Sequence, residues 1–143
     1  NKTGTIAGSN IVGANDEFKG TLGTGIFRVF DITVGMTGLT EEEAIKSGYS
    51  VVTSIDKRPN KPEYMGGKQL IIKAVAEQET GRLLGAQLIG YDGVDRRLDV
   101  LVTAITFKAC AEDLMHLDLA YPPPYSTPRD PLYYTGAKLK AKK

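Results

Sequence analysis

Two tyrosines frame three prolines in "LDLAYPPPYS" (117–126), and a phenol on a stiff support is the clearest chemical feature of the sequence. Proline fixes φ near −65° and donates no backbone hydrogen bond, so the run reads as rigid and extended. Tyr121 and Tyr125 each offer an O–H donor, and a hydrogen bond from such a donor to a charged acceptor contributes about 1.5–3 kcal/mol. Two phenols could steady a thiolate or alkoxide without adding charge. They could equally pack in a protein contact, where tyrosine is enriched. Spacing alone leaves both readings open.

The other reactive residue types are sparse. His116, the only histidine, follows Glu112 and Asp113 and makes no metal site by itself, so it reads as a surface or interface residue. The single Cys110 excludes an internal disulfide, permits a reducing compartment, and reads as a small buried hydrophobe. "GTLGTG" (20–25) lacks the GxxxxGK[ST] pattern and precedes a strand rather than a helix, so it reads as a linker. Arg96 and Arg97 stand beside Asp92 and Asp95 near a helix start and read as a solvated salt-bridged turn. No nucleophile–base set assembles within the chain. These residues point to an assembly domain or to one half of a shared active site. An independent small-molecule-binding domain is the further alternative.

The elements that must hold these residues follow from local signals. Residues 3–13 read as the last turns of a helix and 15–25 as a glycine-rich linker. "IFRVFDITVGMTGL" (26–39) predicts one long strand bent near Gly35, with Ile26, Val29, Ile32 and Val34 in the core. Thr40 with Glu43 three residues later forms a capping box that starts a helix, which Gly48 ends. A strand over 49–56, a loop over 57–67 and a hairpin turning at "ETG" (79–81) come next. Helical spacing covers 98–109, and a second helical segment from Ala111 ends against the prolines. This order predicts an α+β fold, a mainly antiparallel sheet of about four to five strands with helices packed on one face.

Charge separates little here. Lys plus Arg number 18 against 17 Asp plus Glu, a net charge of +1, which fits no nucleic-acid partner, and "KLKAKK" reads as a frayed basic tail. No apolar run reaches the roughly 18 residues that a membrane span needs. The chain opens on Asn1 rather than Met, so Asn1 reads as a cut point in a longer protein.

Three ordered stretches, "GTLGTGIFRVFDITVGMTGLTEEEA" (20–44), "TGRLLGAQLIGYDGVDRRLDVLVTAI" (80–105) and "DLMHLDLAYPPPYSTPRDP" (113–131), resemble the C-terminal dimerisation domain of pyridine nucleotide-disulfide oxidoreductases. The nearest branch is that of coenzyme A-disulfide reductases and NADH oxidases. The resemblance implies that residues 1–19 are the end of a helix of the FAD domain with its linker, 20–136 the dimerisation domain and 137–143 a basic tail. It implies a cytoplasmic homodimeric flavoprotein whose FAD and NAD(P)H are held by upstream domains, the fragment itself binding neither and having no turnover alone. It further implies that Tyr121, then Tyr125, lies in the partner subunit's active site and steadies a coenzyme A thiolate. "EYMGG" (63–67) resembles a loop that supplies another such tyrosine, Tyr64, although Glu63 and Met65 depart from the pattern. The substrate class is a disulfide such as coenzyme A disulfide, a peroxide or oxygen.

Overall fold

A computed structural model describes residues 2–121 and 123–142. Its centre is a five-stranded, wholly antiparallel sheet in the order β1-β2-β5-β4-β3. In chain order the elements are α1 (Lys2–Ile11), β1 (Gly25–Val29), β2 (Ile32–Gly38), α2 (Glu41–Lys46), β3 (Val51–Pro59), β4 (Gln69–Glu77), β5 (Leu83–Gly90), α3 (Val94–Thr106) and α4 (Pro131–Lys140). Short 3-10 turns occupy Glu63–Met65 and Asp113–Met115. The α+β expectation and the antiparallel sheet hold, with α3 and α4 packed on one face and the short α2 set against Val75 on the other.

Strand alternation explains the core. Leu70, Ile72, Ala74 and Ala76 of β4 share a face with Ala86 and Leu88 of β5, and all are buried. Against them pack Val94, Leu98 and Leu101 of α3 and Leu132 and Leu139 of α4. The approach of α3 to β2 is close: a Cβ on Gly35 would lie 2.9 Å from Leu98 Cδ2. At the opposite end of the sheet, the predicted capping box is present. Thr40 N–H donates to Glu43 Oε2 at 2.8 Å, and Glu43 N–H donates to Thr40 Oγ1 at 3.2 Å. The box seats α2 so that Ala44 joins Val75 and Leu84 in a second small cluster.

Four expectations change. The long strand over 26–39 is a hairpin, β1 and β2, turning at Phe30 and Asp31. Phe30 takes φ 51°, the left-handed value that a tight hairpin turn requires, and Arg28 Nε donates to its carbonyl at 2.9 Å. The reversal puts Gly35 and Thr37 on the helix-covered face in place of the apolar set. Ile26 and Val29 stay exposed, Ile32 and Val34 half-buried. Strand β3 runs on to Pro59, since it pairs with β4 along its whole length. The helix expected over 98–109 starts earlier, at Val94, and the segment after Ala111 makes only one 3-10 turn.

The fourth change is at the C-terminus. Residues 137–140 complete α4, which has Asp130 as N-cap and Pro131 in its first turn. Leu139 is 1% exposed. Lys138 pairs with buried Asp56 of β3, Arg58 of β3 stacks 3.5 Å over the Tyr134 ring, and Lys142 Nζ donates to Thr53 O at 2.8 Å. The basic run therefore covers β3, an edge strand. Asn1 and Lys143, at the ends of the cut-point and tail expectations, lie outside the described residues.

Candidate functional site

Three loops gather at one end of the sheet. Gly90 ends β5 opposite Leu70 at the start of β4 and opposite Thr33 beside the β1–β2 turn. The 60–68 loop carrying Tyr64, the 91–93 turn into α3, and the 120–130 loop carrying Tyr121 and Tyr125 therefore meet there. Their meeting point is one side chain.

Arg97, on the first turn of α3, is 1% exposed. Its Nε donates to Asp130 Oδ1 at 3.2 Å and its Nη2 to Asp130 Oδ2 at 2.8 Å, a two-pronged ion pair. Nη2 also reaches Asn60 O at 3.0 Å and Ser126 Oγ at 3.5 Å, and Nη1 donates to Gly93 O at 3.0 Å. Asp130 accepts further bonds from Ser126 Oγ at 2.9 Å, Arg96 Nη2 at 3.1 Å and the Leu132 N–H at 3.0 Å. The last of these is the N-cap bond of α4, so one carboxylate both starts a helix and neutralises a buried guanidinium. Arg96 adds longer bonds to Ala120 O and Tyr125 O, both at 3.4 Å.

This overturns the reading of Arg96 and Arg97 as a solvated turn paired with Asp92 and Asp95. The partner, Asp130, lies 33 residues further along the chain. The sequence held one signal for it: Asp followed by Pro before "LYY" is a helix start, and a helix N-cap so placed needs company when buried.

Above this buried base the phenols face outward. Tyr121 is 52%, Tyr125 67% and Tyr64 77% exposed. Tyr64 sits in the 3-10 turn Glu63–Met65, which Gly66 closes with φ 72°. The proline run is not extended throughout. Residues 123–125 form a turn, consistent with the fixed φ of proline, whereas Pro122 lies outside the described residues. A cavity of about 340 Å³ under the loop is lined by Leu114, Leu119, Tyr121, Ser126, Arg129 and Tyr133.

The remaining candidates stand apart from this end. His116 is exposed at the close of a 3-10 turn. Cys110 is half-buried, bridges to Arg82 as a single ladder rung, and its N–H donates to Asp113 Oδ2 at 2.7 Å. Residues 20–25 lead into strand β1 and do not open a helix. Among the described residues, no three His, Cys, Asp or Glu side chains cluster to hold a metal ion. No helix among them is long and apolar enough to cross a membrane.

Comparison with known proteins gives consistent matches. The family described as "Pyridine nucleotide-disulphide oxidoreductase, dimerisation domain" matches residues 25–130. An NAD(P)H sulfur oxidoreductase (CoA-dependent) of Pyrococcus furiosus is 44% identical over 141 residues, which are 98% of this chain and 32% of that protein. A coenzyme A disulfide reductase of Staphylococcus epidermidis is 33% identical over 123 residues, 86% of this chain and 28% of that protein. The structure of an NAD-dependent persulfide reductase from A. fulgidus superposes with a TM-score of 0.93 at 36% identity, covering 99% of this chain and 26% of that one. The chain thus spans about a third of the length of the curated relatives it matches.

Proposed function

The chain belongs to the pyridine nucleotide-disulphide oxidoreductase dimerisation-domain family, and from that premise we propose that it joins two copies of a longer flavoprotein and lends tyrosines across the interface. In this reading FAD and NAD(P)H are bound by other domains of the parent, and no residue of this chain is assigned to hold them. The parent uses NAD(P)H to cleave a sulfur–sulfur bond, with coenzyme A disulfide or a coenzyme A persulfide as the substrate class. That choice over peroxide or oxygen is supported by relatives named as a coenzyme A polysulfide/persulfide reductase, a coenzyme A disulfide reductase and an NAD-dependent persulfide reductase.

The observation that carries the reading is the contrast between base and tip of the 120–130 loop. Its base is a buried, fully engaged ion pair, and its tips, Tyr121 and Tyr125, are exposed aromatic side chains. A loop built only to close a chain needs no such anchor. When a thiolate of the parent, regenerated at the expense of NAD(P)H, attacks one sulfur of the substrate, a new S–S bond forms there and the other sulfur departs with the bonding electron pair as a thiolate. A phenol O–H held in reach donates to that sulfur and stabilises its charge in proportion to how well it is placed. Tyr121 is the first choice for this role, Tyr125 the second and Tyr64 a supporting third. Residues 1–19 are proposed to pack on the preceding domain: no residue of α1 is buried, and Ile11 at its end and the adjoining Val12 are more than four-fifths exposed.

The test uses the full-length parent with coenzyme A disulfide. Tyr121→Phe and Tyr125→Phe remove the O–H and keep the ring. Loss of one hydrogen bond to a charged acceptor, about 1.5–3 kcal/mol, predicts a ten- to hundredfold fall in kcat/KM for the responsible tyrosine, with flavin content and dimer mass unchanged. Full activity in the doubly substituted protein would leave a domain whose tyrosines only pack. Binding of coenzyme A to this chain alone, seen by calorimetry, would instead favour an independent binding domain using the cavity under the loop.

A further inference from the structure

We infer that Arg97 is a positioning residue that sets the Tyr64 loop and the Tyr121–Tyr125 loop as one rigid unit; this rests on the reading that those phenols meet substrate. A guanidinium is planar, permanently charged and presents five N–H donors in a fixed fork. Here a single nitrogen, Nη2, donates to both loops: to Asn60 O at 3.0 Å and to Asp130 Oδ2 at 2.8 Å. Because both bonds leave one rigid group, neither loop can shift without moving the other.

Each contact is then relayed through its own loop. Asn60 closes the base of the 60–68 loop: its N–H donates to Lys68 O at 3.0 Å, and its Oδ1 accepts the Lys68 N–H at 2.8 Å. Its Nδ2 reaches Asp92 Oδ2 at 3.3 Å, tying in the 91–93 turn. On the other side, Asp130 takes Ser126 Oγ, and Arg96 holds the backbone at Ala120 and Tyr125, the residue before Tyr121 and the second tyrosine itself. Tyr64 and Tyr125 are thus connected through a short chain of bonds centred on Arg97.

Stability alone does not account for this choice. A buried ion pair is often no more stabilising than well-packed apolar residues of similar volume, because desolvation offsets the attraction. What apolar packing does not supply is direction. Groups that act on a substrate must be held within about 0.5 Å, and the fork of Arg97 orients two separate loops at once. Arg96 is a natural control, since its bonds go only to the 120–130 loop and its side chain is one-third exposed.

The experiment is Arg97→Lys in the full-length flavoprotein, read by hydrogen exchange and by steady-state kinetics with coenzyme A disulfide. Exchange is expected to quicken in residues 60–68 and 120–130 together, whereas Arg96→Lys quickens 120–130 alone. The kcat/KM should fall about ten- to a hundredfold, with NAD(P)H-driven reduction of ferricyanide, which needs no phenol, unchanged. That loss should vanish when Tyr64, Tyr121 and Tyr125 are all Phe. Loosening of one loop only, unchanged kinetics, or a loss that persists in the triple-Phe protein would overturn the positioning role. Full activity of the triple-Phe protein itself would overturn the underlying tyrosine reading, and the paired exchange result would stand apart from it. If Arg97→Lys does not fold, native-state exchange of the unaltered protein decides. The Lys68 and Leu132 amides should open in one event with one denaturant dependence, and separate openings would sink the inference.

Discussion

The Arg97 guanidinium and the Asp130 carboxylate form a doubly hydrogen-bonded ion pair, 2.8 and 3.2 Å long, with 1% and 6% of their side chains exposed. Removing one member leaves the other charged, buried and without its counterpart. Asp130→Ala also deletes the N-cap of α4 and the acceptor for Ser126. A loss of about 3–5 kcal/mol in unfolding free energy is expected, measured by urea denaturation of the chain. A change under 1 kcal/mol would mean that the pair is solvated and the base of the loop is not rigid.

Leu139 offers a test of the C-terminal helix. As a tail residue it would tolerate any substitution, but it is 1% exposed within the main core. Leu139→Ala should cost about 2–5 kcal/mol. Lys140→Ala, whose partner Glu112 is on the surface, should cost no more than about 1 kcal/mol. Equal and small effects would return residues 137–142 to the status of a tail.

What could be read in the sequence was local. Thr40 and Glu43 declare a capping box within four residues, and "ETG" declares a hairpin because glycine supplies the φ of 79° that Gly81 adopts. The β1–β2 turn was hidden because Phe30 takes a left-handed conformation that aromatic residues seldom adopt, with no Gly or Asn to mark it. Helix α4 was obscured since its few apolar positions, Leu132 and Leu139, are separated by tyrosines and lysines. The tyrosines stood out by type and setting, but the side chain beneath them did not. Arg97 meets Asp130 and Asn60 only after the chain has folded, 33 and 37 residues away, and spacing carries no trace of that.

Acid should weaken the α2 start. The Thr40 backbone N–H, then its hydroxyl, hydrogen-bonds the Glu43 carboxylate and holds its pKa below the ordinary glutamate range. The folded value is the lower one, so the contribution is present above the unfolded pKa. It is lost as the pH falls through the folded pKa. Comparing Glu43→Gln with the unaltered chain by denaturation at neutral pH and again in acid should show a gap that narrows in acid. A gap that stays constant would rule out the ionised carboxylate as its source.

Gly93 and Gly66 share a left-handed backbone, φ 73° and 72°, but differ in what a side chain would meet. A Cβ on Gly66 enters open space, whereas one on Gly93 would lie 2.4 Å from Arg97 Nη1. Gly66→Ala should therefore cost only the backbone strain, about 1–2 kcal/mol. Gly93→Ala carries the same strain and also forces a buried guanidinium off the carbonyl that it bonds, Gly93 O. Its cost should exceed that of Gly66→Ala by roughly the 1–3 kcal/mol of a disturbed buried polar contact. Hydrogen exchange should rise in the 60–68 and 120–130 loops together for Gly93→Ala, and Gly66→Ala should leave the 120–130 loop unchanged. If the two substitutions prove equal by denaturation, Arg97 has slack that its five donors and its burial do not indicate, and the loops are held by something else.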